Sequence, residues 1–190
     1  MLYARSDATT AARLRARLEW WEDYTRRHDA EMDNNPSPGN KAGGLTTILE
    51  KSLGAVSKGG SAPLADVIGY AEPVVTPGLA FMDSPGFDPC SATGQVASGA
   101  TLIVFTTGRG SALGYKPSPS IKLGSNTALF ERTAEDIDLD RGTIVSGGAS
   151  VEDMGTEILD LMLPSHPGNR RAARRWDMAA PNSCRGRSER

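Results

Sequence analysis

The chain has 190 residues, 38% of them hydrophobic and 23% charged, with a formal net charge of −2. That length is enough for a packed core, no run approaches the roughly 18 uncharged apolar residues of a membrane span, and the start Met1-Leu2-Tyr3-Ala4-Arg5-Ser6-Asp7 lacks the apolar stretch of an export signal. Cys90 and Cys184 are too few and too far apart for a disulfide framework or a zinc site, so a reducing, cytoplasmic setting is expected.

The charge is unevenly spread. Residues 164–190 hold seven arginines against Asp177 and Glu189, a net of +5, which leaves −7 on residues 1–163. An acidic body with no Lys/Arg stripe argues against nucleic acid as a partner. Of the 21 glycines, 18 lie between Gly39 and Gly148, too many for a helical bundle and typical of tight loops around a site. Residues 1–163 are expected to form one domain, with residues 164–190 a basic tail, disordered or out of frame.

In chain order, residues 9–28 read as a helix, with Leu14, Leu18, Trp21 and Thr25 at spacings of three and four. Trp20 and Trp21 read as packing residues, and His28 as a group compensating the helix dipole. The run Asp33-Asn34-Asn35-Pro36-Ser37-Pro38-Gly39-Asn40 reads as a loop. A helix is expected from Gly44 to Gly59-Gly60 and a short one from Leu64 to Ala71. Gly78 to Asp83 reads as a buried strand, Ser91 to Ser98 as a short helix, and Thr101 to Thr107 as a β-branched strand covered on both faces. Ile121 to Leu123 reads as a strand, Thr127 to Glu135 as a helix, and Val151 to Leu163 as an amphipathic final helix. Strands alternating with helices predict an α/β fold, a layered sheet with parallel strand pairs flanked by helices.

Open sheets of this class bind ligands beyond the carboxyl ends of their strands. After the Gly78–Asp83 strand, Asp83 and Asp88 bracket the turn Ser84-Pro85-Gly86-Phe87; such carboxylates hold a metal or substrate hydroxyls, or cap turns. After the Thr101–Thr107 strand comes Gly108-Arg109-Gly110-Ser111, whose glycines let backbone approach an anion while the guanidinium grips it from two nitrogens. Gly108, Gly110 and Gly114 miss the dinucleotide spacing by one residue, and a small carboxylate or phosphate fits better. Lys116 and Lys122 flank Pro117 and Pro119 as a second anion contact or as solvated lysines. Asn34, Asn35 and Lys41 lie in a polar loop before a helix N-terminus, where free amides favour anions. With two scattered histidines, a nucleophilic triad is not indicated.

Long stretches of this sequence resemble the altronate/galactarate dehydratase family. They are Glu31-Met32-Asp33-Asn34-Asn35-Pro36-Ser37-Pro38-Gly39-Asn40-Lys41-Ala42-Gly43-Gly44-Leu45-Thr46-Thr47-Ile48-Leu49-Glu50-Lys51-Ser52-Leu53-Gly54, Phe81-Met82-Asp83-Ser84-Pro85-Gly86-Phe87-Asp88-Pro89, Gly94-Gln95-Val96-Ala97, Phe105-Thr106-Thr107-Gly108-Arg109-Gly110-Ser111 and Lys116-Pro117-Ser118-Pro119-Ser120-Ile121-Lys122-Leu123. The resemblance runs from about Ala11 to Leu163.

It implies a cytoplasmic hydro-lyase that removes water from a sugar acid, altronate or galactarate, to give a 2-keto-3-deoxy acid in hexuronate and aldarate catabolism. It also implies a divalent metal, Fe2+ in the full-length family. A related branch eliminates sulfite from sulfolactate. On this reading Arg109, Lys116 and Lys122 hold the substrate carboxylate, Asn34, Asn35 and Lys41 add substrate contacts, and Asp83 and Asp88 contact metal or hydroxyls.

The family usually carries Cys at the position of Tyr115, and Asn-Cys-Gly at Asp140-Arg141-Gly142; neither cysteine is present here. Because members are about twice this length or more, the chain is expected to be a C-terminal part, inactive alone. The alternatives are a binding or subunit module completed by a separate chain, and a sulfolactate lyase subunit. A homo-oligomer is a further possible assembly.

Overall fold

The computed structural model describes residues 2–30, 38–42, 44–115 and 117–163, and the chain divides into two compact units between Ser98 and Gly99. The tail 164–190 lies outside the described residues. Both units are built of parallel strands and helices, the α/β arrangement expected.

In the first unit, α1 (Ala8–Arg27) begins at Asp7, whose carboxylate accepts the Thr10 amide at 2.8 Å and so satisfies one of the free amides of the first turn. Leu14 and Thr25 are buried as their spacing predicts, but Leu18 and Trp21 stay 47% and 46% exposed. The tryptophans do not pack into the core. Trp20 and Trp21 each stack on Tyr24, with ring centres 5.2 and 5.6 Å apart, and lie tilted to one another at 6.2 Å.

The end of the proline-rich run forms α2 (Pro38–Ala42) where a loop is expected. Proline suits a first helical position because the amide it lacks has no partner there. α3 (Ile48–Ser57) starts at Ile48 and not Gly44, because Thr47 and Glu50 bond each other's backbone amides in a capping box.

Leu64–Ile68, expected as part of a helix, is instead the strand β1. The Asp66 carboxylate accepts the neighbouring Val67 amide at 2.8 Å, a local bond that competes with helix. The stretch between Pro63 and Gly69 is also too short to bury a helical face. β1 pairs in parallel with β2 (Leu79–Met82), with a register shift between Leu64 and Asp66. Residues three apart in a regular strand face opposite ways; the shift lets Leu64 and Val67 share one cluster with Leu14 of α1. α4 (Asp88–Ala97) follows, with Pro89 in its first turn.

Asp66 braces this unit. Its carboxylate takes bonds from Arg13 of α1 at 2.8 Å and from Thr76, in the β1–β2 connection, at 2.9 Å. The Thr76 hydroxyl, the Val67 amide and the Arg13 charge hold it below the usual carboxylate range.

The second unit carries β3 (Ile103–Thr107), β4 (Ser120–Gly124), α5 (Thr127–Arg132), β5 (Leu139–Asp140), α6 (Gly142–Ser146) and α7 (Val151–Met162). The strands are all parallel, in the order β3-β4-β5. β3 is not covered on both faces as expected: it lies at a sheet edge, and Val104 is 40% exposed. The covered strand is β4, buried at every residue because it has a neighbour on each side.

Ile121 and Leu123 of β4 join Leu139 and Met154 in the core, with Ile144 and Ile158 packed against it. Full burial of each such side chain is worth about 1.5–3 kcal/mol. Ser120, Lys122 and Gly124 alternate onto the other face, where the Ile137 Cγ2 atom lies 3.3 Å from the position a Gly124 Cβ would take. α5 stops at Arg132, short of Glu135; the Thr133 hydroxyl bonds the Leu129 carbonyl at 2.8 Å. No helix among the described residues is long and apolar enough to cross a membrane.

Two outcomes follow for stability. A Cβ on Gly142 would lie 2.3 Å from the Thr127 backbone nitrogen, so Gly142→Ala should cost roughly 1–3 kcal/mol in urea unfolding. Gly155→Ala, in open space on α7, should instead gain about 0.5–1 kcal/mol. A destabilisation equal at both positions would remove the close approach as the cause.

Asp66 titrates lower folded than unfolded, so its stabilisation is present above the unfolded value of about 3.9 and is lost as pH falls through the folded value. Asp66→Asn should therefore unfold more readily at neutral pH, with a flatter acid limb of unfolding midpoint against pH. An unchanged acid limb would exclude this brace.

Candidate functional site

The carboxyl ends of β3, β4 and β5 are joined into one edge. At the end of β3, the Thr107 hydroxyl accepts the amides of Gly110 at 3.1 Å and Arg109 at 3.3 Å, which folds the Gly108–Gly110 turn back over the strand. Gly110 sits at φ +99°, a conformation L side chains rarely adopt. The turn leaves Arg109 exposed.

From the end of β4, the Ser125 amide bonds the Thr107 carbonyl at 2.9 Å and the Asn126 side-chain amide bonds the Gly108 carbonyl at 3.1 Å. The Asn126 Oδ1 atom accepts the Leu129 amide at 2.8 Å, capping α5. Beyond β5, the Arg141 amide bonds the Gly124 carbonyl at 2.8 Å, and the Asp140 carboxylate accepts the Gly142 amide at 2.8 Å.

Two guanidiniums therefore stand on loops laced to the same Asn126-Thr127 step, Arg109 on one side and Arg141 on the other. The Arg141 Nε atom is shut off from solvent and has no acceptor among the described residues. Leaving a buried donor unmatched costs about 1–3 kcal/mol. Arg109, exposed on its turn, is a cation of this edge that an anion can reach.

The first unit holds a second set of groups. Asp83 follows β2, its amide bonded to the Ile68 carbonyl at 2.9 Å and its carboxylate 4.0 Å from Arg17. Asp88 opens α4 and is exposed. Tyr70 fixes that helix: its hydroxyl donates to the Cys90 carbonyl at 2.8 Å, and its ring fills the space a Gly94 Cβ would need. An open groove of about 460 Å³ lies along α1, lined by Arg13, Ala16, Arg17, Trp20, Val67 and Glu72.

Of the residues singled out by sequence, Arg109 and Lys122 lie in the second unit and Asp83, Asp88 and Lys41 in the first. Asn34, Asn35 and Lys116 lie outside the described residues. Lys41 is exposed on α2. Lys122 sits in the middle of β4, within the strand expected at Ile121–Leu123, 6% exposed, its amide bonded to the Asp138 carboxylate at 2.7 Å.

Among the described residues, no three His, Cys, Asp or Glu side chains come together as metal ligands would. The donors described do not complete a site for a divalent ion. No role is read from sequence for Asn126, Arg13 or Arg17, and Arg141 enters there only as the position of a missing cysteine. The signals were a short polar residue before a helix and an Arg-Arg spacing of four with Trp20 three further on, on one helical face.

Residues 1–182 match the family described as D-galactarate/Altronate dehydratase, C-terminal. The chain is 35% identical over 159 residues to the galactarate dehydratase (L-threo-forming) of Escherichia coli (strain K12), covering 84% of this chain and 30% of that protein. It is 36% identical over 143 residues to the altronate dehydratase of Bacillus subtilis (strain 168), covering 75% of this chain and 29% of the relative. It is also 33% identical over 159 residues to the (2R)-sulfolactate sulfo-lyase subunit beta of Chromohalobacter salexigens, covering 82% of this chain and 41% of that protein. The chain thus spans about 30% of the length of the first two of these relatives. With its sheet edges, its loops and most of its length matched, the chain belongs to the D-galactarate/altronate dehydratase family, as a C-terminal domain of that family.

Proposed function

We propose that this chain is the carboxylate-holding part of a lyase that dehydrates a sugar acid, altronate or galactarate, to a 2-keto-3-deoxy acid. The observation that carries this reading is the Arg109 turn, pinned to Thr107 and Asn126 at the carboxyl edge of a parallel sheet. The relatives' names supply the substrate class.

In such a reaction a base takes the proton from the carbon beside the carboxylate, and the electron pair passes into that carboxylate as an enediolate. The neighbouring hydroxyl then leaves, with a proton, as water. The resulting enol shifts to the 2-keto form. Arg109 holds the carboxylate from two nitrogens and faces the charge that develops on it, which favours the transition state over the ground state. Fixing the turn beforehand removes the cost of orienting that charge during reaction.

Lys122 and Lys116 are proposed as further cationic contacts, and Asn34, Asn35 and Lys41 as hydroxyl or carboxylate contacts. Asp83 and Asp88 are proposed to contact metal or substrate hydroxyls, with the remaining metal donors supplied from outside the described residues. The enzyme is proposed to be cytoplasmic.

A second reading rests on the likeness to a lyase subunit: the chain is a module whose site is completed by a separate polypeptide, with a sugar acid or sulfolactate as substrate.

Both readings expect the same behaviour of the purified chain. Under anaerobic conditions with added ferrous iron it should show no dehydration of altronate or galactarate and retain well under one iron per chain. Turnover at an ordinary enzymatic rate, about 1 s⁻¹ or more, would show that its own residues suffice. In a complete enzyme carrying this domain, Arg109→Ala should lower kcat/KM about 100-fold or more. Lys58→Ala, at the exposed end of α3, should leave it within about twofold. Equal losses would remove Arg109 from the carboxylate.

A further inference from the structure

We propose that the groove along α1 binds a small aromatic monocarboxylate, with Arg17 on the acid group and Trp20 on the ring. Every residue that lines it belongs to the first unit, so the inference stands apart from the reading of Arg109.

Arg13, Ala16, Arg17 and Trp20 follow one another at spacings of three, one and three along α1, which puts them on one face of the helix. That face lines the groove together with Val67 of β1 and Glu72. Asp83, directly after β2, approaches Arg17, so the groove adjoins the carboxyl end of the parallel pair, where sheets of this class take ligands. Its volume of about 460 Å³ lies within the roughly 300–1,000 Å³ of small-molecule sites.

Arg17 supplies the charge. Its side chain is 45% exposed, so a ligand can reach it, and the Asp83 carboxylate stands 4.0 Å away. The guanidinium makes no hydrogen bond among the described residues. Its planar fork of donors matches the oxygens of a carboxylate. Arg13, by contrast, is already bonded to Asp66.

The acidic neighbours limit the ligand to one negative charge. Asp66 is engaged by Arg13, Thr76 and the Val67 amide, and Glu72 accepts the Gly69 amide at 2.5 Å. Asp66, Asp83 and Glu72 against Arg13 and Arg17 still leave one negative charge in excess around the groove. A second anionic group on the ligand would meet that excess and be repelled.

Trp20 supplies a flat surface. It is 54% exposed, and the Tyr24 ring stacked on it at 5.2 Å holds the indole from one side. An aromatic ring finds a partner there; an acyclic polyhydroxylated acid has no flat apolar surface to offer.

The test is calorimetric titration of the intact chain with three probes: 2-naphthoate, 2-naphthalenemethanol, which keeps the ring without the charge, and acetate, which keeps the charge without the ring. Naphthoate should bind one per chain, about tenfold or more tighter than either of the others. Arg17→Gln should weaken naphthoate about tenfold or more and change the alcohol less than about twofold. Trp20→Leu should weaken both ring-bearing probes. Arg17→Lys, which keeps the charge but loses the fork, should recover part of the loss and guards against a variant that fails to fold. No binding of naphthoate, equal binding of naphthoate and the alcohol, or naphthoate binding that Arg17→Gln leaves unchanged would overturn the proposal. Displacement of naphthoate by galactarate would assign the groove to a sugar acid and overturn the aromatic ligand.

Discussion

The side chain of Asn126 is bonded in two directions, and the edge of the second unit depends on it. Its oxygen starts α5 by accepting the Leu129 amide, while its nitrogen reaches back to the Gly108 carbonyl at the end of β3. One planar amide thus sets both the start of a helix and the position of the Arg109 turn. Only asparagine or glutamine carries a donor and an acceptor on one such group, and asparagine is short enough to cap. Leu129 and Ile137, each 1% exposed, are buried in the same unit, 3.5 and 3.3 Å from where Cβ atoms on Gly110 and Gly124 would lie.

The first unit solves the same problem with charge. Asp66, near the floor of β1, gathers Arg13, Thr76 and the Val67 amide, so a helix, a strand and a loop meet at one carboxylate. Most of that carboxylate is covered while Arg13 remains largely open to water. The geometry and the neutral hydrogen bonds therefore matter more than the ion pair alone. The nearby Arg17 and Asp83 meet only at 4.0 Å, too far for a strong bond.

How much of this was legible in the sequence depended on whether the signal was local. Helix periodicity placed α1 and α7 to within a residue or two, because each carries its own start signal, Asp7 and Ser150. The parallel α/β class followed from alternation alone. Leu64–Ile68 was misread as helix because its apolar run is short enough to suit either state, and the partner that decides it, Leu79–Met82, is distant in sequence. The apolar run of β3 suggested a central strand, whereas β4 with its lysine and serine occupies the centre; strand order is a property of crossovers that no single strand encodes. The Arg109 turn was legible from its glycines. The bond from the Arg141 amide to Gly124 was not, since it depends on a two-residue strand that has no periodicity.

That last residue also changes what the edge can be. The resemblance puts a cysteine where Arg141 stands and another where Tyr115 stands. A thiolate is a soft donor that draws a transition metal and tunes it; a guanidinium repels a cation and attracts an anion. In this chain the position carries a group that repels a cation, where the resemblance implies a donor that would attract one. The surrounding backbone suits that exchange, because Arg141 is held by its own amide and by the seat of Gly142 on Thr127, not by its side chain. An anchoring that ignores the side chain leaves its chemistry free to change, within a body whose net charge is −7 over residues 1–163. In a body that repels anions overall, binding one depends on a few cations, and the loops that follow β3 and β5 carry Arg109 and Arg141.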